Sequence, residues 1–227
     1  MPTLEELFAE IESLHIFELC SDETEIDRFE TQYGYKLPSD LKKFHKKYNT
    51  VKLFNDEFGG LYRFVSASEI HPTYEDIYGK DFDEQRPNAW FTVCDVQDGN
   101  YIAIDLESKN GEEYNFIDCF HETFAQPGDS KIVAKSFTEL LNLALHSNGN
   151  LYYLQEDFIS YGDGLPLTAE NAAIRIENPE APKKGWLAKF SVGRNSYHEF
   201  FADNDYGDKE KSFEEVKRYI DKQSHAK

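Results

Sequence analysis

The segment Ile26 to Asn49, IDRFETQYGYKLPSDLKKFHKKYN, constrains the fold of this chain more than any other. Ile26, Phe29 and Tyr33 recur at i, i+3 and i+7, the spacing of one helical face, and Gly34 stands where a helix C-terminus favours a left-handed residue. Pro38 suits the first turn of a second helix, where its missing N–H costs nothing. Leu37, Leu41, Phe44 and Tyr48 give that helix its own apolar face before Asn49 ends the run. Lys42, Lys43, Lys46 and Lys47 fill the remaining positions and read as a solvated face. Two helices this close in sequence, each with an apolar stripe, need a common surface to bury against, so the rest of the chain reads as sheet and caps around them.

The remainder has the means to supply that surface. Of 227 residues, 40% are hydrophobic and 15% aromatic, including 18 Phe and 14 Tyr, which argues for a packed core and against a disordered chain. No apolar run reaches the roughly 18 residues of a membrane span, and the N-terminus, MPTLEELFAEIE, is acidic where a secretory signal is basic and then apolar. A soluble cytoplasmic protein is expected. Cys20, Cys94 and Cys119 are an odd set without a close pair, which argues against a disulfide framework or a CxxC metal site and for buried thiols. The formal charge of −19 is unevenly spread: Lys183 to Lys227 holds 10 Lys/Arg against 8 Asp/Glu, whereas residues 1–182 hold 14 against 35, a net of −21. Such a surface repels nucleic acid and anionic membrane and attracts basic proteins, and the last segment is a separate electrostatic unit.

Thr3-Leu4-Glu5-Glu6 has the spacing of a capping box, and Leu4, Leu7, Phe8, Ile11 and Leu14 continue an apolar face behind it, so a helix opens the chain. Leu61 to Ser66, Ala89 to Asp95, Tyr101 to Leu106, Tyr114 to Cys119 and Lys131 to Ala134 read as strands. Gln97-Asp98-Gly99-Asn100 joins the second to the third, a hairpin signal because Asp and Gly both accept positive φ; Lys109-Asn110-Gly111 turns the next. Ser136-Phe137-Thr138-Glu139 repeats the capping-box spacing ahead of Leu140, Leu141, Ala144 and Leu145. Thr73 to Asn88 shows no clear period beyond a helical turn, and Leu151 to Tyr161 suits a strand or a short helix. Consecutive hairpins among helices predict an α+β domain over residues 1–160, an antiparallel sheet with helices packed on one face. A linker over 161–184 follows, holding a strand-like Ala172 to Ile176. Trp186 to Val192 and Ser196 to Phe201 then pair about Gly193-Arg194-Asn195, and a third capping box at Ser212 opens a helix. Residues 185–227 thus form a small C-terminal module, and with the linker strand the tail reads as βββα.

The order Phe29, Tyr33-Gly34, Leu37-Pro38, Leu41, Phe44 and Tyr48-Asn49 resembles the signature of the SUKH superfamily, which contains yeast Smi/Knr-type cell-wall regulators and many bacterial immunity proteins. Tyr33 stands for the usual Leu of that pattern and Thr50 for the usual Gly. The resemblance continues through Tyr62 to Ile70, Trp90 to Leu106 and the Ser136-Phe137 helix entry, so it covers about Leu4 to Leu145. It implies the α+β fold and a non-catalytic role: members of the immunity branch neutralise a cognate toxin, often a nuclease delivered by neighbouring cells, by stoichiometric binding. The alternative it implies is a regulatory adaptor of the Smi/Knr type. The C-terminal stretch GWLAKFSVGRNSYHEFF is similar to the first strand pair of AP2-like modules, whose sheet face enters the major groove of DNA. In that alternative Lys183, Lys184, Lys189 and Arg194 are the nucleic-acid contacts.

No phosphate loop, nucleophile elbow or HExxH occurs, so the sequence supports neither catalysis nor a cofactor. Asp118, His121 and Glu122 have the chemistry of metal ligands or acid–base groups, but read as a polar loop after a strand because no second histidine cluster supplies further ligands. Asp95, Asp98 and Asp105 would chelate a hard cation if the hairpin gathered them, and otherwise serve as turn and strand-end carboxylates. Asp203, Asp205 and Glu214 occupy positions 1, 3 and 12 of a calcium loop, yet Gly207 falls at 5 where the loop requires it at 6. Cys94 sits inside a strand pattern, which suits a buried thiol better than a nucleophile. The expected partner is a basic toxin protein. The expected contact surface is the hairpin end bearing Trp90, Asp95, Asp98, Tyr101 and Asp105, where carboxylates stand beside aromatics.

Overall fold

Thr3 caps the first helix, α1 (Leu4–Leu14): its hydroxyl accepts the Glu6 N–H at 3.3 Å while the Glu6 carboxylate accepts the Thr3 N–H at 2.8 Å. The computed structural model describes residues 2–56, 59–79, 87–126 and 128–165, together with the backbone of three strands further on. The chain divides into two units, residues 1–124 with 131–162, and residues 125–130 with 163–227.

In the first unit, α2 (Thr24–Tyr33) ends on Gly34 at φ +76°, and α3 (Ser39–Lys47) starts from Pro38 at φ −62°, as the two residue types predict. The turn between them is tied by Glu30, a buried carboxylate. It accepts the Leu37 N–H at 3.1 Å and Lys36 at 2.6 Å, and pairs with Lys42. Burial alone would raise its pKa, but the bonds from Lys36, Lys42 and Leu37 outweigh that and hold it below the ordinary carboxylate value. The lysine face of α3 is thus partly engaged. Lys47 also pairs with Glu12 of α1 at 2.6 Å and lies over the Phe8 ring.

The helical run ends just before Asn49, at Lys47. The chain passes straight from α3 into β2 (Tyr48–Asp56), which pairs antiparallel with β1 (Ile16–Leu19); neither strand is among those read from the sequence. Then β3 (Gly59–Phe64), β4 (Trp90–Asp95), β5 (Tyr101–Asn110), β6 (Glu113–Cys119) and β7 (Ile132–Ala134) complete a seven-stranded sheet in which spatial order follows chain order. Between β4 and β5, Asp98 and Gly99 take φ +53° and +72°, and the Asn100 N–H donates to the Gln97 carbonyl at 2.9 Å, the turn that Asp-Gly predicts.

Two further helices complete the unit, α4 (Thr73–Tyr78) and α5 (Phe137–Leu145). Only half of the expected α5 capping box forms. Ser136 Oγ accepts the Glu139 N–H at 3.1 Å, but the Glu139 carboxylate turns to the Lys135 N–H at 2.7 Å and to the Tyr161 hydroxyl. Helices cover one face of the sheet. Phe29 of α2 lies 5.2 Å from Phe91, Phe44 of α3 lies 5.8 Å from Phe64, and Phe137 of α5 lies 6.4 Å from Phe116, all between ring centroids. The architecture is the expected α+β one, with α4 on the opposite face, where Thr92 Oγ1 donates to Asp76 Oδ2 at 2.6 Å.

In the second unit, β8 (Ile174–Glu177), β9 (Trp186–Ser191) and β10 (Tyr197–Ala202) form an antiparallel sheet with β9 in the middle. The helix expected from Ser212 lies outside the described residues.

His45 of α3 is 2% exposed, meets Phe44 edge-on at 5.3 Å, and has no hydrogen-bond partner for either ring nitrogen among the described residues. Burial pushes its pKa from 6.5 to about 3. In the unfolded chain the ring takes up a proton near 6.5, while in the folded one it stays neutral to about 3, so stability falls as pH drops through this window. His45→Leu is expected to remove that slope. Urea midpoints compared at neutral pH and near pH 5 should show the native chain losing about 2 kcal/mol more than the variant.

Candidate functional site

Side chains alternate along a strand, so the register places Ile16, Lys52, Arg63, Asp95 and Tyr101 side by side across β1 to β5. This row lies on the face turned away from Phe64 and the helices that cover it. Its last four members floor an open cleft of about 730 Å³, lined also by Gly60, Gln97, Asp98 and Gly99.

Arg63 organises the floor. Its Nη1 donates to Glu69 Oε1 at 2.9 Å, and its Nε lies 3.4 Å from Asp95 Oδ2. Burial opposes the guanidinium charge, but Glu69 and Asp95 outweigh it and raise the Arg63 pKa. Asp95 also accepts the Gln97 N–H at 3.0 Å, which fixes the start of the turn. Burial, with Asp76 and Asp95 nearby, raises the Tyr101 pKa, so its hydroxyl remains a neutral donor. Lys52 and the exposed Asp98 have no ion pair among the described residues. The cleft therefore offers groups of both signs and a phenol, an arrangement suited to holding a polar surface.

Of the residues expected at the hairpin end, Asp95, Asp98 and Tyr101 line this cleft. Trp90 and Asp105 pair with each other at the other end of the hairpin, about 13 Å along β5. Trp90 does not reach the surface: it is 3% exposed, with its ring 5.9 Å from Phe124 and its side chain bonded to Asp105. Burial raises the Asp105 pKa. Asp95, Asp98 and Asp105 are thus not gathered around one cation. Lys52, Gly60, Arg63 and Glu69 are the members of the site that sequence reasoning misses. The signal was the alternation Val51-Lys52-Leu53 and Tyr62-Arg63-Phe64, which becomes informative only once β2 is recognised as a strand.

Asp118 is buried, whereas His121 is exposed with Nδ1 2.9 Å from Asn100 Oδ1; among the described residues no three His, Cys, Asp or Glu side chains gather as metal ligands. Cys94 and Cys119 are buried, Cys20 half-buried, and burial pushes the Cys94 thiol up, away from thiolate reactivity. Lys189 lies within β9 opposite Arg175 and Glu199. Lys183, Lys184, Arg194 and the calcium-loop candidates Asp203, Asp205, Gly207 and Glu214 lie outside the described residues. Among the described residues no helix is long and apolar enough to cross a membrane.

Residues 21–143, more than half of the chain, match the sequence profile of the SMI1 / KNR4 family (SUKH-1). That stretch runs from just ahead of α2 into α5 and contains most of the cleft's supporting strands. Over 131 residues the chain is 28% identical to "Immunity protein YokJ" of Bacillus subtilis (strain 168), a match spanning 57% of this chain and 77% of that protein.

Gly60 holds the cleft's rim for a steric reason. A Cβ there would stand 2.8 Å from Lys52 Cβ and 3.1 Å from the Leu53 carbonyl oxygen, so β2 and β3 would have to part. Gly60→Ala is expected to destabilise the protein by about 1–3 kcal/mol, read from the urea midpoint; an unchanged midpoint would mean that the two strands are not so closely set.

Proposed function

The chain belongs to the SMI1 / KNR4 family (SUKH-1), and from that membership we propose that it is a non-catalytic binding protein that neutralises a cognate toxin by direct contact. The observation that carries this reading is the 28% identity to a protein named as an immunity protein. The surface charge agrees in sign. Residues 1–182 carry a net charge of −21, which draws in a basic partner and disfavours an acidic one. A toxin that grips nucleic acid must present a basic surface to do so, and an acidic protein seated on that surface blocks it without making or breaking a covalent bond. In this reading Asp95, Asp98 and Tyr101 belong to the contact face. Asp98 is its exposed steering charge and Tyr101 an amphipathic anchor beside it. The protein acts in the cytoplasm, where the toxin reaches its target.

Co-expression with the toxin gene adjacent to its own is expected to restore growth, and the purified pair to elute as one stoichiometric complex. Association should slow steeply as salt rises, and Asp98→Lys should slow it a few-fold at low salt, both read by stopped-flow mixing. Growth arrest that the chain does not relieve, with no complex at micromolar concentration, would overturn the reading.

A further inference from the structure

The two edges of the seven-stranded sheet differ. At one, the chain covers β7 itself: the Tyr161 N–H donates to the Ile132 carbonyl and the Ile132 N–H donates to the Gly162 carbonyl, both at 3.0 Å. At the other, β1 pairs with β2 and with no second strand among the described residues, so alternate N–H and C=O groups of Ile16–Leu19 point outward unpaired. Beside this open edge stand Leu14, Ile16 and Leu19, which are 69%, 51% and 63% exposed. They are three of the seven large apolar side chains left exposed among the described residues. Proteins usually blunt such an edge with lysine, proline or a covering loop. The segment LHIFELC from Leu14 to Cys20 contains neither lysine nor proline.

Charge decides what can sit there. No lysine or arginine occurs before Arg28, while nine Asp and Glu do. Glu12 pairs with Lys47 and Asp22 with Arg28, but Glu18, on β1 itself, has among the described residues only the Asn49 amide, which donates to it at 3.4 Å. Two copies paired edge to edge would bring their Glu18 side chains within cross-strand reach and set two acidic N-terminal segments together, which opposes that pairing. A basic segment meets no such repulsion.

We propose that β1 is a strand-addition site and that its occupant is an extended segment of a basic partner protein. The segment pairs backbone to backbone with Ile16–Leu19; on the face that Ile16 shares with Glu18 it brings lysine or arginine to Glu18, with the alkyl stems over Ile16, and on the other face it lays apolar side chains beside Leu19. This rests on the reading of the chain as a binder of a basic protein and names the edge at which that partner is gripped. The edge is continuous with the cleft, because Ile16 is the outermost member of the row that runs through Lys52, Arg63 and Asp95 to Tyr101.

The test uses the isotope-labelled full chain and a short alternating lysine–valine peptide as probe. Resonance shifts are expected at the amides of Ile16 to Leu19, and slowed hydrogen exchange at those of them that point away from β2. The same peptide N-methylated on alternate amides, which keeps its charge and side chains but cannot complete the ladder, should bind about tenfold more weakly. A similar loss is expected for the native peptide with the Ile16→Lys, Leu19→Lys double variant, which changes only exposed side chains. Equal binding of the N-methylated peptide would overturn the proposal, since charge alone would then hold it. So would shifts confined to another surface, or a concentration-dependent dimer abolished in the double variant, which would make a second copy the occupant. None of these measurements involves a toxin, so failure of strand addition leaves growth rescue standing, and failure of rescue leaves the peptide pairing standing.

Discussion

Phe44 is the side chain on which the helical half of the first unit converges. Fully buried, its ring centroid lies 4.9 Å from Phe137, 5.4 Å from Tyr48, 5.8 Å from Phe64 and 6.3 Å from Phe8. One ring therefore joins α1, α5, β2 and β3 to its own helix. Each such aromatic pair contributes about 0.5–1.5 kcal/mol beyond the area it buries. Its structural consequence exceeds that figure, because all the contacts form together only when those elements arrive in one arrangement. Tyr48 extends the cluster outward, edge-on to Phe17 of β1 at 5.6 Å, with its hydroxyl donating to Glu12 at 3.2 Å.

Once this face of the sheet is taken by the core, the opposite face has no freedom of register. A slip of one residue would carry Arg63 toward Phe44 and Phe64 toward solvent, at the cost of an unpaired charge in an aromatic interior. The core thereby holds Lys52, Arg63, Asp95 and Tyr101 in line, although none of them contributes to it. α4 closes part of that polar face. Asp76 accepts Thr92 Oγ1 at 2.6 Å and lies 2.8 Å from His71 Nε2, and the cleft is the part of the face left open.

The excess of negative charge is distributed in two ways that serve different ends. Two carboxylates withdrawn from solvent are answered: buried Glu30 by Lys36, Lys42 and the Leu37 N–H, and half-buried Asp95 by Arg63. An unanswered carboxylate in those places would be costly, and the bonds convert each into a fastening between elements. At Asp98 and Glu18 the charge stands at the surface, one on the tip of a hairpin and one on an open strand edge. There it costs little and acts over a distance set by salt. Stability and partner attraction thus draw on different members of one acidic population.

Local features are legible in the sequence because they are decided within a few residues. Thr3 and Glu6 cap one turn, Gly34 supplies a left-handed φ, Pro38 presets another, and Asp98-Gly99 makes a hairpin by backbone conformation alone. The same holds for the apolar stripes of α1, α2, α3 and α5, and for the family signature they carry. What depends on distant partners is not legible. β1 and β2 are hidden because four residues show no period and because Tyr48 completes a helical stripe as well as it opens a strand. The interior placing of Trp90 needs Phe124, the redirected Glu139 needs Tyr161, and the pairing of Arg63 with Asp95 needs a register. The sequence by itself determined which segments bend, cap and alternate, since dihedral restrictions and neighbouring hydrogen bonds act locally. Only the tertiary structure decided which carboxylates are neutralised, which aromatic side chains are covered and which strand edge is left unpaired among the described residues, because those depend on groups that the packing of Phe44 and its neighbours brings together.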